Sequence, residues 1–153
     1  MHLNFHKMED FHRPIEILLV EDNEADIVLT KNAFKTLTIQ NNLNVCRNGE
    51  EGLNYLFKVG AYSEATTPDL VLLDLNMPKT NGLEVLEKIK SDPKLSTVPV
   101  IVLTTSSAEQ DILKSYQFHA NSYIKKPIDF MEFIDVIKKI ESYWFSIVKM
   151  PTV

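Results

Sequence analysis

The chain has 153 residues, within the range of one domain and long enough to bury a sizeable core. Its net charge is -5 with no run of like charges, which argues against a nucleic-acid arm, an acidic tail and direct nucleic-acid binding. A lone cysteine, Cys46, cannot close an internal disulfide, and no apolar run approaches the roughly 20 residues that span a bilayer. A cytoplasmic protein without a membrane segment or signal peptide is expected.

Residues 1–13 read as a polar, flexible arm, with His2, His6 and His12 on a solvated tail rather than in a metal site. IEILLV, from Ile15, is a short, nearly continuous apolar run, the mark of a strand covered on both faces. Residues 24–38 place Ile27, Val28, Ala33, Phe34 and Leu37 at helical spacing, with Asn23 as N-cap. NLNVCRN reads as a second strand in which Cys46 is a small buried hydrophobe. Residues 49–59 form a helix with Leu53, Leu56 and Phe57 on one side, and GAYSEATTP is a loop.

DLVLLD is the third strand, left through the turn NMPKTNG. A helix over 82–90 turns Leu83, Leu86 and Ile89 inward. VPVIVLTT is a fourth strand, 107–118 a helix, and NSYIKKP a fifth strand. The last helix starts near Asp129 and keeps an apolar face through Phe133, Ile137, Ile140 and Trp144. Five alternations of strand and helix predict a doubly wound α/β fold, a parallel sheet covered on both faces.

In such a sheet every strand's C-terminal end opens into one crevice, where ligands bind. Glu21, Asp22, Asp74, Thr104 and Lys126 all stand at strand ends. Three carboxylates in a small volume must raise their pKa values or take up a cation, and oxygen donors with an open crevice suit Mg²⁺. Asp74 ends the most apolar strand. A metal-neutralised carboxylate there can attack phosphorus and form an acyl phosphate. Mg²⁺, Lys126 and Thr104 then match the three equatorial oxygens of a transferring phosphoryl group. Pro127 biases Lys126 toward an extended shape over the crevice.

At these residues the sequence resembles the receiver domains of two-component response regulators. The stretches are ILLVEDNEAD, DLVLLDLNMPKTNGLEVLEKIK, VPVIVLTTS and ANSYIKKPID, spanning about residues 15–140. The resemblance implies a flavodoxin-like sheet of order 2-1-3-4-5 flanked by five helices. It implies a receiver over 14–141 and a C-terminal helical extension and tail over 142–153. Asp74 is then the phosphoacceptor, and Glu21, Asp22, Asp74 and the main-chain carbonyl of Asn76 hold Mg²⁺. Thr104 and Tyr123 act as the switch pair, Lys126 as the ion-pair partner, and Asn76 and Ser106 tune the dephosphorylation rate. Two departures are Glu21, where Asp is also common, and a longer stretch before Asp74, near Tyr62–Thr67.

The nearest resemblance is to single-domain regulators paired with bacterial phytochromes. It implies a photoreceptor histidine kinase as partner and Mg-dependent aspartyl phosphorylation rather than turnover as a classical enzyme. It also implies homodimers in some members; output is expected through a downstream protein partner, a phosphorelay onward to another histidine, or phosphate-sink behaviour. The aromatic tail, with Tyr143, Trp144 and Phe145, either folds back on its own domain or meets another subunit. Two competing readings are a phosphate-independent binding module and a haloacid-dehalogenase-type phosphatase. The latter wants a second Asp two residues after the nucleophile, where this chain has Asn76. Nucleotide-loop patterns GxxxxGK[ST] and GxGxxG are absent.

Overall fold

The computed structural model describes residues 13–105 and 122–149. Its strands are β1 (Ile15–Val20), β2 (Asn41–Cys46), β3 (Leu70–Asp74), β4 (Val100–Thr104) and β5 (Ser122–Lys125). Between them run helices α1 (Glu24–Lys35), α2 (Gly49–Phe57) and α3 (Gly82–Ser91), and α4 (Phe130–Lys149) follows β5. All pairings are parallel and the order is β2-β1-β3-β4-β5, so the expected doubly wound sheet is present. The helix expected over 107–118 lies outside the described residues.

Because strand side chains alternate between faces, the sheet sorts its apolar residues by parity. Leu18, Val20, Val71, Leu73, Val100 and Val102 join the core under α2 and α3. Ile17, Leu19, Leu70, Leu72, Ile101, Leu103 and Ile124 join the core under α1 and α4. On that second face Phe34 of α1 meets Phe133 of α4 edge to face, with ring centroids 6.1 Å apart. This contact sets the two helices that flank the crevice.

The helix starts follow from local chemistry. Asn23, Asn48 and Asn81 each cap a helix by accepting a hydrogen bond from the backbone N–H three residues on. Asp129 does the same for α4, accepting from Glu132 N at 3.0 Å. Gly82 opens α3 against the residue that follows Asp74. A Cβ there would lie 2.7 Å from Leu75 Cα, so only glycine lets the helix start that close to the crevice.

Two inward assignments are corrected. Val28 is exposed because the buried stripe of α1 runs through Ile27, Thr30, Ala33 and Phe34, and Thr30 satisfies its hydroxyl on Asp26 O at 2.7 Å. Phe57 is also exposed: α2 buries Gly49, Gly52 and Leu56, a face narrow enough for the helix to sit on Val20. The loop after α2 contains a short 3-10 turn, Gly60–Tyr62. There Tyr62 packs on Tyr55 and meets the buried Cys46 thiol, so the long loop is pinned to the core. On α3 the buried set is Gly82, Val85, Leu86 and Ile89, while Leu83 is only half-buried. The arm's expected end, Arg13, pairs with Asp69 at 3.0 Å.

Candidate active site

Register and parity together assemble the crevice. Val20 pairs with Leu73, so Glu21 and Asp74 are the next residues abreast. Asp74 pairs with Leu103, putting Thr104 one step farther, and Thr104 pairs with Lys125, putting Lys126 one step farther again. Lys126 N donates to Thr104 O at 2.9 Å, which ties the two residues across the sheet. The Lys126-Pro127 peptide is cis. Glu21, Asp74 and Lys126 continue the parity of Leu19, Leu72 and Ile124, and so all project on the α1 side.

Glu21 and Asp74 are buried, with 0% and 1% exposure, whereas Asp22 is exposed. Lys126 Nζ stands 2.9 Å from Asp74 Oδ2, 2.9 Å from Glu21 Oε1 and 3.0 Å from Asp26 Oδ2. The Glu21 contact is one of charge only, because Oε1 is buried without an aligned hydrogen-bond donor. The other oxygens are held by backbone: Asn23 N donates to Glu21 Oε2 at 3.2 Å and Asn76 N to Asp74 Oδ1 at 2.9 Å. Burial, followed by the facing Asp74 carboxylate, pushes Glu21 up to about 7 despite the lysine. Burial alone would lower the Lys126 ammonium, but its contacts with Glu21, Asp74 and Asp26 outweigh that and raise it above the ordinary lysine value.

Glu21, Asp22 and Asp74 each offer a carboxylate oxygen, all within 4.8 Å of one another. An all-oxygen donor set suits a hard divalent cation. The unaligned, buried Glu21 Oε1 and the raised Glu21 pKa are what such an ion would relieve, so these residues fit a divalent cation.

Thr104 is buried at the end of β4, and Tyr123 on β5 is 37% exposed. Asn76 is exposed, and its Oδ1 accepts from Thr105 N at 2.7 Å and from Thr105 Oγ1 at 3.2 Å. This bridges the segments that leave β3 and β4. Ser106 lies outside the described residues. Asp26 escaped the sequence reading, although its position in the first turn of the helix following Glu21-Asp22 is a signal that could have found it.

A crevice of this kind, with a buried carboxylate beside a fixed ammonium and a cation-ready acid cluster, defines a domain that phosphorylates and dephosphorylates its own aspartate. The sequence profile of the response regulator receiver domain matches residues 17–138, and the chain belongs to that family. It is similar to response regulator Rcp1 of Synechocystis sp., with 41% identity over 143 residues, 94% of this chain and 97% of the relative. It also resembles the phosphorylated cyanobacterial phytochrome response regulator RcpA, with 46% identity and a TM-score of 0.76. That match covers 88% of this chain and 96% of the other. The Mn²⁺-bound form of Rcp1 matches with 43% identity and a TM-score of 0.74, covering 86% of this chain and 94% of the other. No helix among the described residues is long and apolar enough to cross a membrane.

Proposed function

We propose that Asp74 is the phosphoacceptor of a phytochrome-type sensor histidine kinase, that the acid cluster takes Mg²⁺, and that acceptance switches a protein-interaction surface. The observation that carries the reading is the buried Asp74 carboxylate, with one oxygen on Lys126 and the other on the Asn76 amide. An Asp74 oxygen forms the new bond to phosphorus as the N–P bond of the donor phosphohistidine breaks, and the electron pair returns to the imidazole. Bound Mg²⁺ would supply charge neutralisation, held by Glu21, Asp22, Asp74 and the Asn76 carbonyl. Lys126 holds a phosphoryl oxygen through its ammonium and Thr104 another through its hydroxyl. Asn76 and Ser106 set how readily water reaches the acyl phosphate.

Tyr123 completes the switch. As Thr104 turns toward the phosphoryl group, the exposed Tyr123 ring turns inward and reshapes the surface around β5. The similarity to a cyanobacterial phytochrome response regulator supports a photoreceptor kinase as donor. A phosphatase of the haloacid-dehalogenase type is disfavoured, because a carboxamide at Asn76, committed to Thr105, cannot shuttle a proton.

Incubating the chain with Mg²⁺ and acetyl phosphate should add one phosphoryl group to the intact mass, and a chelator should abolish the gain. No adduct under rapid quench, with a phytochrome kinase as alternative donor, would favour a phosphate-independent binding module.

The same reading includes a homodimer built on the C-terminal extension. Helix α4 continues to Lys149, past the family span that ends at residue 138. The sequence there is rich in aromatic residues, which interface cores favour. Sedimentation at several concentrations should show a dimer for the full chain and a monomer for a chain ending at Glu141. That cut preserves the Glu141 carboxylate, which accepts from Ile39 N at 3.0 Å. Identical association by both chains would remove the extension from the interface.

A further inference from the structure

Lys126 has three carboxylate partners, and the phosphoacceptor reading engages only two of them elsewhere. Glu21 and Asp74 belong to the set whose oxygens converge for a cation, and Asp74 is also the nucleophile. Asp26 is outside that set, yet its Oδ2 lies 3.0 Å from Lys126 Nζ, and its side chain is only 23% exposed. It comes from a different element, the first turn of α1.

That turn is well fixed. Asp26 N donates to Asn23 Oδ1 at 2.9 Å, Thr30 Oγ1 to Asp26 O at 2.7 Å, and the neighbouring Ile27 is fully buried in the face beneath α1. Lysine, by contrast, carries its charge on a flexible four-carbon stem. Once Glu21 and Asp74 are engaged with a cation and a phosphoryl group, their hold on the ammonium is shared with these partners. Asp26 alone keeps an undivided carboxylate on it.

We propose that Asp26 is a positioning residue for Lys126, a fixed anchor that keeps the ammonium aimed into the crevice while Asp74 is phosphorylated. The inference rests on the phosphoacceptor reading above. It adds a fourth acid with a role distinct from cation binding: Asp26 acts on the rate of transfer, through the lysine.

The test is a double-mutant cycle on the full chain. Asp26→Asn, Lys126→Ala and the double variant would be phosphorylated with acetyl phosphate and followed by intact mass after quenching. Transfer breaks the P–O bond to acetate and forms the bond to Asp74. At saturating Mg²⁺ and donor, Asp26→Asn should slow transfer by up to about 10²-fold, the scale of a catalytic group misplaced by about 1 Å. The Mg²⁺ concentration for half-maximal rate should not rise, because Asp26 is not among the cation donors. Asp26→Glu should recover part of the rate. In the Lys126→Ala background Asp26→Asn should have no further effect.

A general structural role would slow both backgrounds alike, and that outcome overturns the proposal, as does an Asp26→Asn rate equal to wild type. Asparagine retains the backbone cap to Asn23, so loss of helix α1 is not built into the variant. A wild-type chain that takes up no phosphoryl group would instead overturn the phosphoacceptor reading, and the anchor role with it.

Discussion

Replacing Asp74 by asparagine should leave the fold intact and abolish phosphoryl uptake. The carboxamide has the shape of the carboxylate, but its neutral oxygen is not a nucleophile toward phosphorus and its nitrogen forms no acyl phosphate. Intact-mass measurement with Mg²⁺ and acetyl phosphate reads this directly: one added group in wild type and none in the variant. Uptake by the variant at the wild-type rate would move the acceptor to another residue.

Asp74→Asn should also change how stability varies with pH in cation-free protein. Glu21, pushed to about 7 by burial and by the facing Asp74, binds a proton in the folded chain that an unfolded glutamate at 4.5 has released. Wild type therefore loses stability from Glu21 as pH rises from about 4.5 to about 7. Asparagine removes the facing charge, so this loss should shrink. Urea unfolding across that window checks it, and an unchanged slope would show that Asp74 does not set the Glu21 proton.

Lys126→Met should produce the other large effect, on rate and on stability together. Methionine keeps an unbranched stem and removes the only ammonium that touches Glu21, Asp26 and Asp74 in the described residues. Leaving buried carboxylates without their partner is expected to cost about 3 kcal/mol. A divalent cation at about 100 times its Kd should return about 2.7 kcal/mol, because it binds only the folded cluster. Transfer at saturating donor should fall by about 10²- to 10³-fold, the scale of losing one preorganised charge partner of the transition state. Urea titrations with and without Mg²⁺, alongside quenched intact-mass kinetics, measure both. Unchanged stability in the cation-free variant would mean that the three contacts contribute nothing net. An unchanged rate would remove Lys126 from the reaction.

Both variants were reachable from sequence because their residues sit where local signals are strong. Apolar runs ending in Glu21-Asp22, Asp74 and Thr104 announce buried parallel strands, and Asn23 announces where the first helix begins. Position at a strand end implies the crevice, since a doubly wound sheet gathers those ends. Burial was harder to read. Glu21 and Asp22 are adjacent acids, yet one is fully buried and the other exposed. The difference comes from continuing the parity of β1 into a face closed by α1 and α4.

By itself, then, the sequence determined the alternation of strands and helices and which polar residues end the strands, because each follows from a short stretch of chain. Only the tertiary structure decided which helix face was buried and which carboxylate held the lysine. Val28 and Phe57 fit a helical period yet lie exposed, because rotation of a helix is set by the sheet it packs on. Asp26 reaches Lys126 for the same reason. Burial of Ile27 and the contact of Phe34 with Phe133 set the roll of α1, and register across β1, β3, β4 and β5 brings the ammonium beneath it. Pairings between residues a hundred positions apart depend on those packed faces, and no local pattern in the chain carries them.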